Sequence, residues 1–322
     1  MRIVAQVLGG QERDGATMSD VSPHLHERDP DVVASVRREL VDARAWLDRT
    51  VLLVYAGLAG LAVVAFTWLS EAATELFMRG YDAAPWAVLV VTPALTAAIV
   101  GLTRRWAAAA AGSGIPQVMA ALAADLTPAQ RQRLVSLRLA AAKVVLASAG
   151  LLGGLSLGRE GPSVQVAAGV LHHARRWLRR GSALDEHALL VAGGAAGIAA
   201  AFNAPLAGVV FAIEELSRRL ESRASGLIIA AIVLAGLVAV SVWGNYTYFG
   251  SIRVPELDAS ALLPGLVTAV VSGLAGGLLA RVLVASLQGG PDAISRWRAR
   301  HPVRFAALAG LGVAVVGLAS GG

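Results

Sequence analysis

The chain has 322 residues, of which 56% are hydrophobic and 16% are charged, whereas soluble domains contain roughly 25% charged residues. A soluble core in a 33.0 kDa chain cannot enclose the apolar sequence that follows, so we predict an all-α polytopic membrane protein. Six stretches without Asp, Glu, Lys or Arg are each long enough to cross a membrane: 50–70, 83–103, 106–124, 188–213, 224–252 and 259–280.

The net charge of +6 does not indicate nucleic-acid binding, because the basic residues cluster at the ends of the apolar stretches. Snorkelling and membrane topology explain that distribution. The lack of cysteine excludes disulfides, thiolate metal sites and cysteine nucleophiles. We therefore expect a lipid bilayer as a partner, and we expect no nucleic acid, no metal and no cofactor.

Residues 1–31 show no sustained apolar periodicity and are expected to form a flexible cytoplasmic tail, followed by a helix from about Val32 to Asp48. Arginines precede the first apolar stretch, whereas the predicted loop 71–82 contains three acids and one Arg. Two more arginines, Arg104 and Arg105, follow the second stretch. The positive-inside rule therefore predicts a multi-pass protein of the cell membrane with a cytoplasmic N-terminus and loop 71–82 outside.

Beyond Arg105 the apolar segments become shorter and are interrupted by Gly and Pro at 112–116, 153–162 and 193–205. Irregular backbone at membrane depth is tolerated only where it is buried in protein or lines a cavity. Half-helices that point at a site near the midplane are typical of transporters. The pattern therefore predicts broken and re-entrant helices.

The first interruption is Gly-Ser-Gly-Ile-Pro at 112–116, in which Ser113 supplies a hydroxyl and Pro116 suits the first turn of a helix. A helix N-terminus there would attract an anion. The alternative is that Ser113 is an ordinary N-cap in a re-entrant turn. The pattern alone leaves both interpretations open.

The second interruption, Gly-Arg-Glu-Gly-Pro at 158–162, places two ionisable residues between uncharged stretches. Charges inside a membrane are costly and indicate function. Ionised Glu160 at a helix N-terminus can occupy the place of a mobile anion, and protonation would empty that place. The alternative is a structural pair between Arg159 and Glu160.

The third segment runs from Ala-Phe-Asn-Ala-Pro-Leu-Ala-Gly at 201–208 to the adjacent acids Glu214 and Glu215. Because successive helical residues are about 100° apart, one acid can face the interior while the other faces water. The alternative is a pair of interfacial acids beside Arg218 and Arg219.

Three other polar residues have simpler interpretations. Lys143 precedes an apolar run and is expected to be a snorkelling anchor or a partner for a nearby carbonyl. His172 and His173 are adjacent and lack the spacing of a metal site, so they are expected to be interfacial polar residues.

The three motifs, in this order and followed by Glu214 and Glu215, resemble the CLC family of chloride channels and chloride/proton antiporters. The resemblance extends from about Val32 to the end of the chain. It implies the family's inverted-repeat architecture with broken and re-entrant helices, in a homodimer. The implied organisation is a tail at 1–31, an N-terminal helix and first transmembrane repeat at 32–220, and the start of a second inverted repeat at 221–322.

The resemblance also implies roles for individual residues. Ser113 corresponds to the serine that binds chloride at the central site, where Gly114 and Ile115 shape the turn. Glu160 corresponds to the gating glutamate, and the backbone from Arg159 to Gly161 helps to form the external anion site. Glu215 corresponds to the internal glutamate that relays protons, and Glu214 is its neighbour nearer the aqueous entry.

Two features depart from the family pattern. Gln117 occupies a position where many relatives have glutamate. The second half's Gly-x-Phe-x-Pro stretch and late tyrosine are not found, since Tyr248 is the last tyrosine. We therefore expect a fragment that is truncated inside the second repeat and has an incomplete pore.

The predicted function is chloride transport, with chloride and protons exchanged through Glu160 and Glu215, and with no enzymatic activity. A passive voltage- or pH-gated chloride channel of the same family is the alternative, because family channels keep the gating glutamate and commonly lose the proton glutamate. An intramembrane hydrolase is disfavoured, since no suitable Ser/His or Asp/Asp pair lies in the apolar segments. A membrane scaffold would not need Glu160.

Overall fold

The computed structural model describes residues 43–123, 126–179, 181–182, 184–216, 225–244, 250, 259–290 and 292–321. The predicted tail at 1–31 and most of the helix predicted from Val32 lie outside the described residues. The described residues form helices and no strands, and they confirm the all-α class.

The first helix, α1 (Ala43–Ala83), is 41 residues long and includes the segment predicted to be an external loop. The prediction of a loop at 71–82 was therefore wrong. Ala, Leu, Glu and Met in this segment all favour a helix. An ion pair one turn apart, from Arg79 Nη2 to Glu75 Oε2 at 3.2 Å, is typical of an exposed helix surface.

Eleven further α-helices follow in the described part of the chain. They are α2 (Val88–Trp106), α3 (Ile115–Ala121), α4 (Pro128–Leu134), α5 (Leu137–Leu152), α6 (Glu160–His173), α7 (Glu186–Ala201), α8 (Pro205–Phe211), α9 (Ser225–Trp243), α10 (Leu262–Gln288), α11 (Ala293–Arg300) and α12 (Pro302–Ser320). A π-helical turn, Ala212–Leu216, directly follows α8.

Six helical segments are long and apolar enough to cross a membrane: Ala45–Ala83, Pro85–Trp106, Pro128–Leu152, Ser225–Trp243, Ala259–Gln288 and Pro302–Ser320. Two of the charge-free stretches are not single spans. A turn interrupts 106–124 before α3, and Phe202 to Ala204 separate α7 from α8. Pro at the first turn of α3 and α8 explains why new helices begin there.

The core is formed by α6, α7 and α9, with α8 packed beside them. Every residue from Gly161 to His172 in α6 and from Ala188 to Ala200 in α7 is buried. Small residues allow this close approach: a Cβ atom at position 197 would lie 2.7 Å from the Cα of Val164. The core therefore holds the second and third motifs in fixed positions.

Candidate functional site

The Ser113 turn connects a short 3₁₀ helix, Ala108–Ala110, to α3. Gly114, with φ of 118°, is the N-cap of α3, and no side chain caps that helix. Ser113 is therefore not an ordinary N-cap, and it is exposed. The positive φ at Gly114 disfavours any residue with a Cβ atom.

The first and second motifs are in direct contact. A Cβ atom at position 114 would lie 2.5 Å from the carbonyl oxygen of Gly161, and one at position 161 would lie 2.8 Å from the carbonyl oxygen of Ser113. The Ser113 hydroxyl also faces position 161. Glycine at both positions therefore lets the Ser113 turn pack against the first turn of α6.

Glu160 is the first residue of α6 and is half-buried. Its carboxylate lies beside Gly158, where a Cβ atom would be 2.7 Å from Oε2. Arg159, the residue before it, forms an ion pair with Glu71 of α1 through Nη1 and Oε1 at 3.1 Å. Pro162 lies in the first turn of α6, where proline is favoured.

Ser113 and Glu160 line one cavity of about 620 Å³. Gly158, Gly161 and Lys143 also line it. The remaining walls come mainly from α2, α5 and the 3₁₀ segment before Ser113 and are largely apolar. The structure thus brings three of the predicted site residues, Ser113, Glu160 and Gly161, to one cavity, with the N-terminus of α6 at its wall.

Lys143 is buried and 3% exposed. Its ammonium group donates hydrogen bonds to the carbonyl oxygen of Ala110 at 2.8 Å and to that of Gly112. Of the two interpretations given above, the carbonyl partner is therefore the one that the structure shows. Both carbonyls lie just before Ser113 in the chain, so the only lysine of the chain holds the start of the Ser113 turn and places a positive charge beside the cavity.

Gln165 of α6 was not identified from the sequence. Its side chain is 1% exposed, and Nε2 donates to the carbonyl oxygens of Ala109 at 3.1 Å and Leu134 at 2.9 Å. These bonds tie α6 to the segment before Ser113 and to the end of α4. The available signal was a lone amide within an uncharged stretch, which indicates a buried polar group that needs partners.

The third motif lies apart from this cavity. Asn203, with φ of 54°, donates from Nδ2 to the carbonyl oxygen of Gly244 at 3.0 Å, and α8 begins two residues later. Glu214 and Glu215 lie on the π-helical turn, and both are exposed. Neither lines the cavity of Ser113 and Glu160. π-helical turns occur frequently at functional sites.

The described residues contain no group of three or more His, Asp or Glu side chains that could hold a metal ion. They define a multi-pass membrane protein in which broken helices surround a small cavity. Comparison with known families identifies it further. The model of the voltage gated chloride channel family matches residues 95–321, so the chain belongs to that family.

Several relatives are named H(+)/Cl(-) exchange transporter ClcA. The Cronobacter sakazakii protein is 31% identical over 265 residues, which cover 80% of this chain and 54% of that protein. The Vibrio vulnificus protein is 35% identical over 190 residues, which cover 58% of this chain and 39% of that protein. The chain therefore spans about half the length of the relatives it matches, or less.

A crystal structure of a slow cyanobacterial Cl⁻/H⁺ antiporter has the same fold, with a TM-score of 0.66 and 22% sequence identity. The match covers 85% of this chain and 63% of that one. It confirms the predicted CLC-type architecture of broken and re-entrant helices.

Proposed function

We propose that the full-length protein exchanges chloride for protons across the cell membrane as a homodimer, with its N-terminus in the cytoplasm. One observation carries this proposal: Ser113 and Glu160, which lie on different motifs, line the same cavity at the start of α6. Support for coupling to protons comes from relatives that are named exchange transporters.

Four groups at this cavity would attract chloride. They are the hydroxyl of Ser113, the ammonium of Lys143, Arg104 and the N-terminal turn of the 14-residue helix α6. Helix ends and hydroxyls supply partial charges, which hold an anion loosely enough for it to leave. The full charge on Lys143 is already shared between two carbonyl oxygens, which weakens its hold on the anion. Gly114 and Ile115 would shape the turn that presents the hydroxyl.

Glu160 would couple the two ions by competition. The ionised carboxylate at the N-terminus of α6 excludes an anion from the external site, which the backbone from Arg159 to Gly161 would help to form. Protonation removes that negative charge and lets the side chain leave the site. The half-buried position of Glu160 beside Gly158 is consistent with a side chain that can reach both cavity and solvent.

Glu215 would give protons a route between the cytoplasm and Glu160. Its position on an exposed π-helical turn suits a group that collects protons from water. A passive gated chloride channel is the second candidate, favoured by the observation that Glu215 does not line the Glu160 cavity. The two candidates differ in whether a proton must cross with each chloride movement.

The test uses the full-length protein in liposomes loaded with chloride. External pH is recorded while an outward chloride gradient runs down with no imposed proton gradient. We expect uphill proton movement in the wild type, and chloride flux without proton movement in Glu215→Gln. The matched control is Glu214→Gln, which should keep proton coupling. Chloride flux that moves no protons in the wild type would establish the channel instead.

A further inference from the structure

A second cavity, of about 670 Å³, lies at the opposite end of α6 from Glu160. We call it the basic cavity. Its lining includes Arg138 at the start of α5, and His172, His173, Arg175 and Arg176 at the end of α6 and in the turn beyond it. No carboxylate lines it within the part of the chain that the structure describes. The lining therefore favours an anion.

The wall of the basic cavity is held in place by contacts to other helices. Trp177 Nε1 donates to the hydroxyl of Tyr55 at 2.9 Å, and Arg179 Nε forms an ion pair with Asp48 Oδ2 at 3.0 Å. Both partners lie on α1. The turn that contains Arg175 and Arg176 is therefore anchored on its C-terminal side.

Glu186, the first residue of α7, organises the other side of the wall. One carboxylate oxygen accepts from His172 Nε2 at 2.6 Å and from Arg175 Nη1 at 2.7 Å, and the other accepts from Arg131 Nη1 at 2.6 Å. His172 was expected to be an interfacial polar residue. It is instead buried, and its ring is oriented by this carboxylate.

Arg138 and Arg176 have no such partner. Both side chains are exposed, and neither forms an ion pair with a carboxylate among the described residues. Next to Arg138, the N-terminus of the 16-residue helix α5 also lines the cavity. The Ser136 hydroxyl accepts from the amide of Leu139, and the two preceding amides have no partner within the helix. The positive charges of Arg138 and Arg176 and the free amides at the start of α5 therefore all lie at the basic cavity.

We propose that the basic cavity binds a phosphate group, carried either by the headgroup of an anionic lipid or by a soluble phosphate compound. Guanidinium groups bind phosphate oxygens through paired hydrogen bonds, and helix N-termini add further donors. The cavity is far larger than a chloride ion needs. Arginine-rich loops are retained on the cytoplasmic side, where anionic lipids and soluble phosphates are both found.

The test compares two double variants of the purified full-length protein. Arg138→Gln/Arg176→Gln removes the two uncompensated charges of the basic cavity. Arg133→Gln/Arg300→Gln removes two exposed charges outside the cavity and is matched in net charge. Binding of inorganic phosphate is measured by the shift in unfolding temperature. Binding of phosphatidylglycerol, against phosphatidylcholine, is measured by native mass spectrometry in mixed micelles.

Each guanidinium near an anionic headgroup contributes about fivefold in affinity, so we expect Arg138→Gln/Arg176→Gln to bind about 25-fold more weakly than the control. A loss confined to phosphatidylglycerol identifies a lipid headgroup, and a loss for inorganic phosphate identifies a soluble ligand. Equal binding by the two double variants in both experiments would overturn the proposal. Because neither experiment uses transport, its result is independent of the proposed exchange.

Folding is checked by the unfolding temperature of each variant without ligand. If the double variant does not fold, the exposed single substitution Arg176→Gln decides the question, with an expected fivefold loss against Arg133→Gln. Replacement of both arginines by lysine keeps the charge and should restore part of the binding, because lysine lacks the paired donors. Once the glutamine variant has lost binding, full recovery with lysine would show that positive charge alone is needed. No recovery with lysine would show that binding depends on the guanidinium geometry.

Discussion

Lys143 is a buried cation whose two hydrogen-bond partners lie just before the serine proposed to bind chloride. Substitution by Met keeps a similar volume but leaves the carbonyl oxygens of Ala110 and Gly112 without their donor. The Ser113 turn should then shift, and the cavity loses one of its two positive charges, because Arg104 also lines it. We expect Lys143→Met to lower chloride efflux from liposomes about tenfold, which corresponds to about 1.4 kcal/mol.

The control for this substitution is Ser148→Ala on the same helix, α5. Ser148 is also buried, it does not line the cavity, and its hydroxyl has no hydrogen-bond partner among the described atoms. Its removal should leave chloride efflux within about twofold of the wild type. Wild-type efflux from well-folded Lys143→Met protein would show that neither the charge nor the turn geometry at Ser113 limits transport.

At the scale of single residues, local motifs could be predicted and long-range partners could not. The sequence indicated the helix start at Pro116, because proline in a first turn is a local preference. It did not indicate that Gln165 bonds to the ends of two other segments, or that Arg159 pairs with Glu71. Those contacts join residues more than 30 positions apart and depend on how helices pack.

Glu186 joins three segments of the chain, since its carboxylate bonds to α4, to α6 and to the turn after α6. Neutral glutamine cannot replace the carboxylate, so Glu186→Gln leaves the charge of Arg131, which is mostly buried, and that of Arg175 without compensation. We expect a loss of about 2 kcal/mol at neutral pH, between the values for exposed and buried ion pairs. The measurement is the free energy of unfolding in detergent.

The matched control is Glu75→Gln on α1. Glu75 also forms an ion pair, with Arg79, but that pair is exposed to water. With side chains 68% and 77% exposed, that pair should contribute less than about 0.5 kcal/mol. Equal losses for the two substitutions would contradict a structural role for the Glu186 cluster.

The stability that Glu186 contributes should also depend on pH. Partial burial raises the pKa of Glu186. Hydrogen bonds from His172 and Arg175 and the charges of Arg175 and Arg131 lower it by more, so the net pKa lies below the ordinary value of 4.5. A lowered pKa in the folded protein stabilises it above the unfolded pKa, and that contribution is lost as the pH falls through the folded pKa. The difference between wild type and Glu186→Gln should therefore shrink below about pH 4.5.

At the scale of elements, the charge-free stretches located the apolar segments correctly. They did not show where the helices within those segments begin and end. The stretch 188–213 has no charge, yet it forms α7, a turn at Asn203 and α8. In contrast, 71–82 contains four charges but continues α1. Hydropathy reports the solvent that a segment prefers, whereas Pro and Gly determine where its helix ends, so the two signals must be read separately.

At the scale of the whole molecule, α10 is the least covered element. All its described side chains are exposed, although its sequence is apolar enough to cross a membrane. By contrast, α12 packs against α2, where the Cα of Pro93 would lie 3.1 Å from a Cβ atom at position 310. An apolar helix whose described side chains are all exposed suits contact with lipid or with other protein.

The proposed orientation of the molecule can be tested directly, because this chain has no cysteine to interfere with labelling. Asp82 lies at the end of α1 that is proposed to face outward, and Gln132 lies on α4 beside the basic cavity. A membrane-impermeant maleimide added to intact cells should label Asp82→Cys. It should label Gln132→Cys only after the cells are permeabilised, because the arginine-rich loops stay in the cytoplasm. Leu274→Cys, in the middle of α10, should resist labelling in both conditions, since a hydrophilic reagent does not enter the apolar layer.

Labelling of Gln132→Cys in intact cells would show that the orientation is opposite to the one proposed. The basic cavity would then lie outside, away from cytoplasmic phosphates.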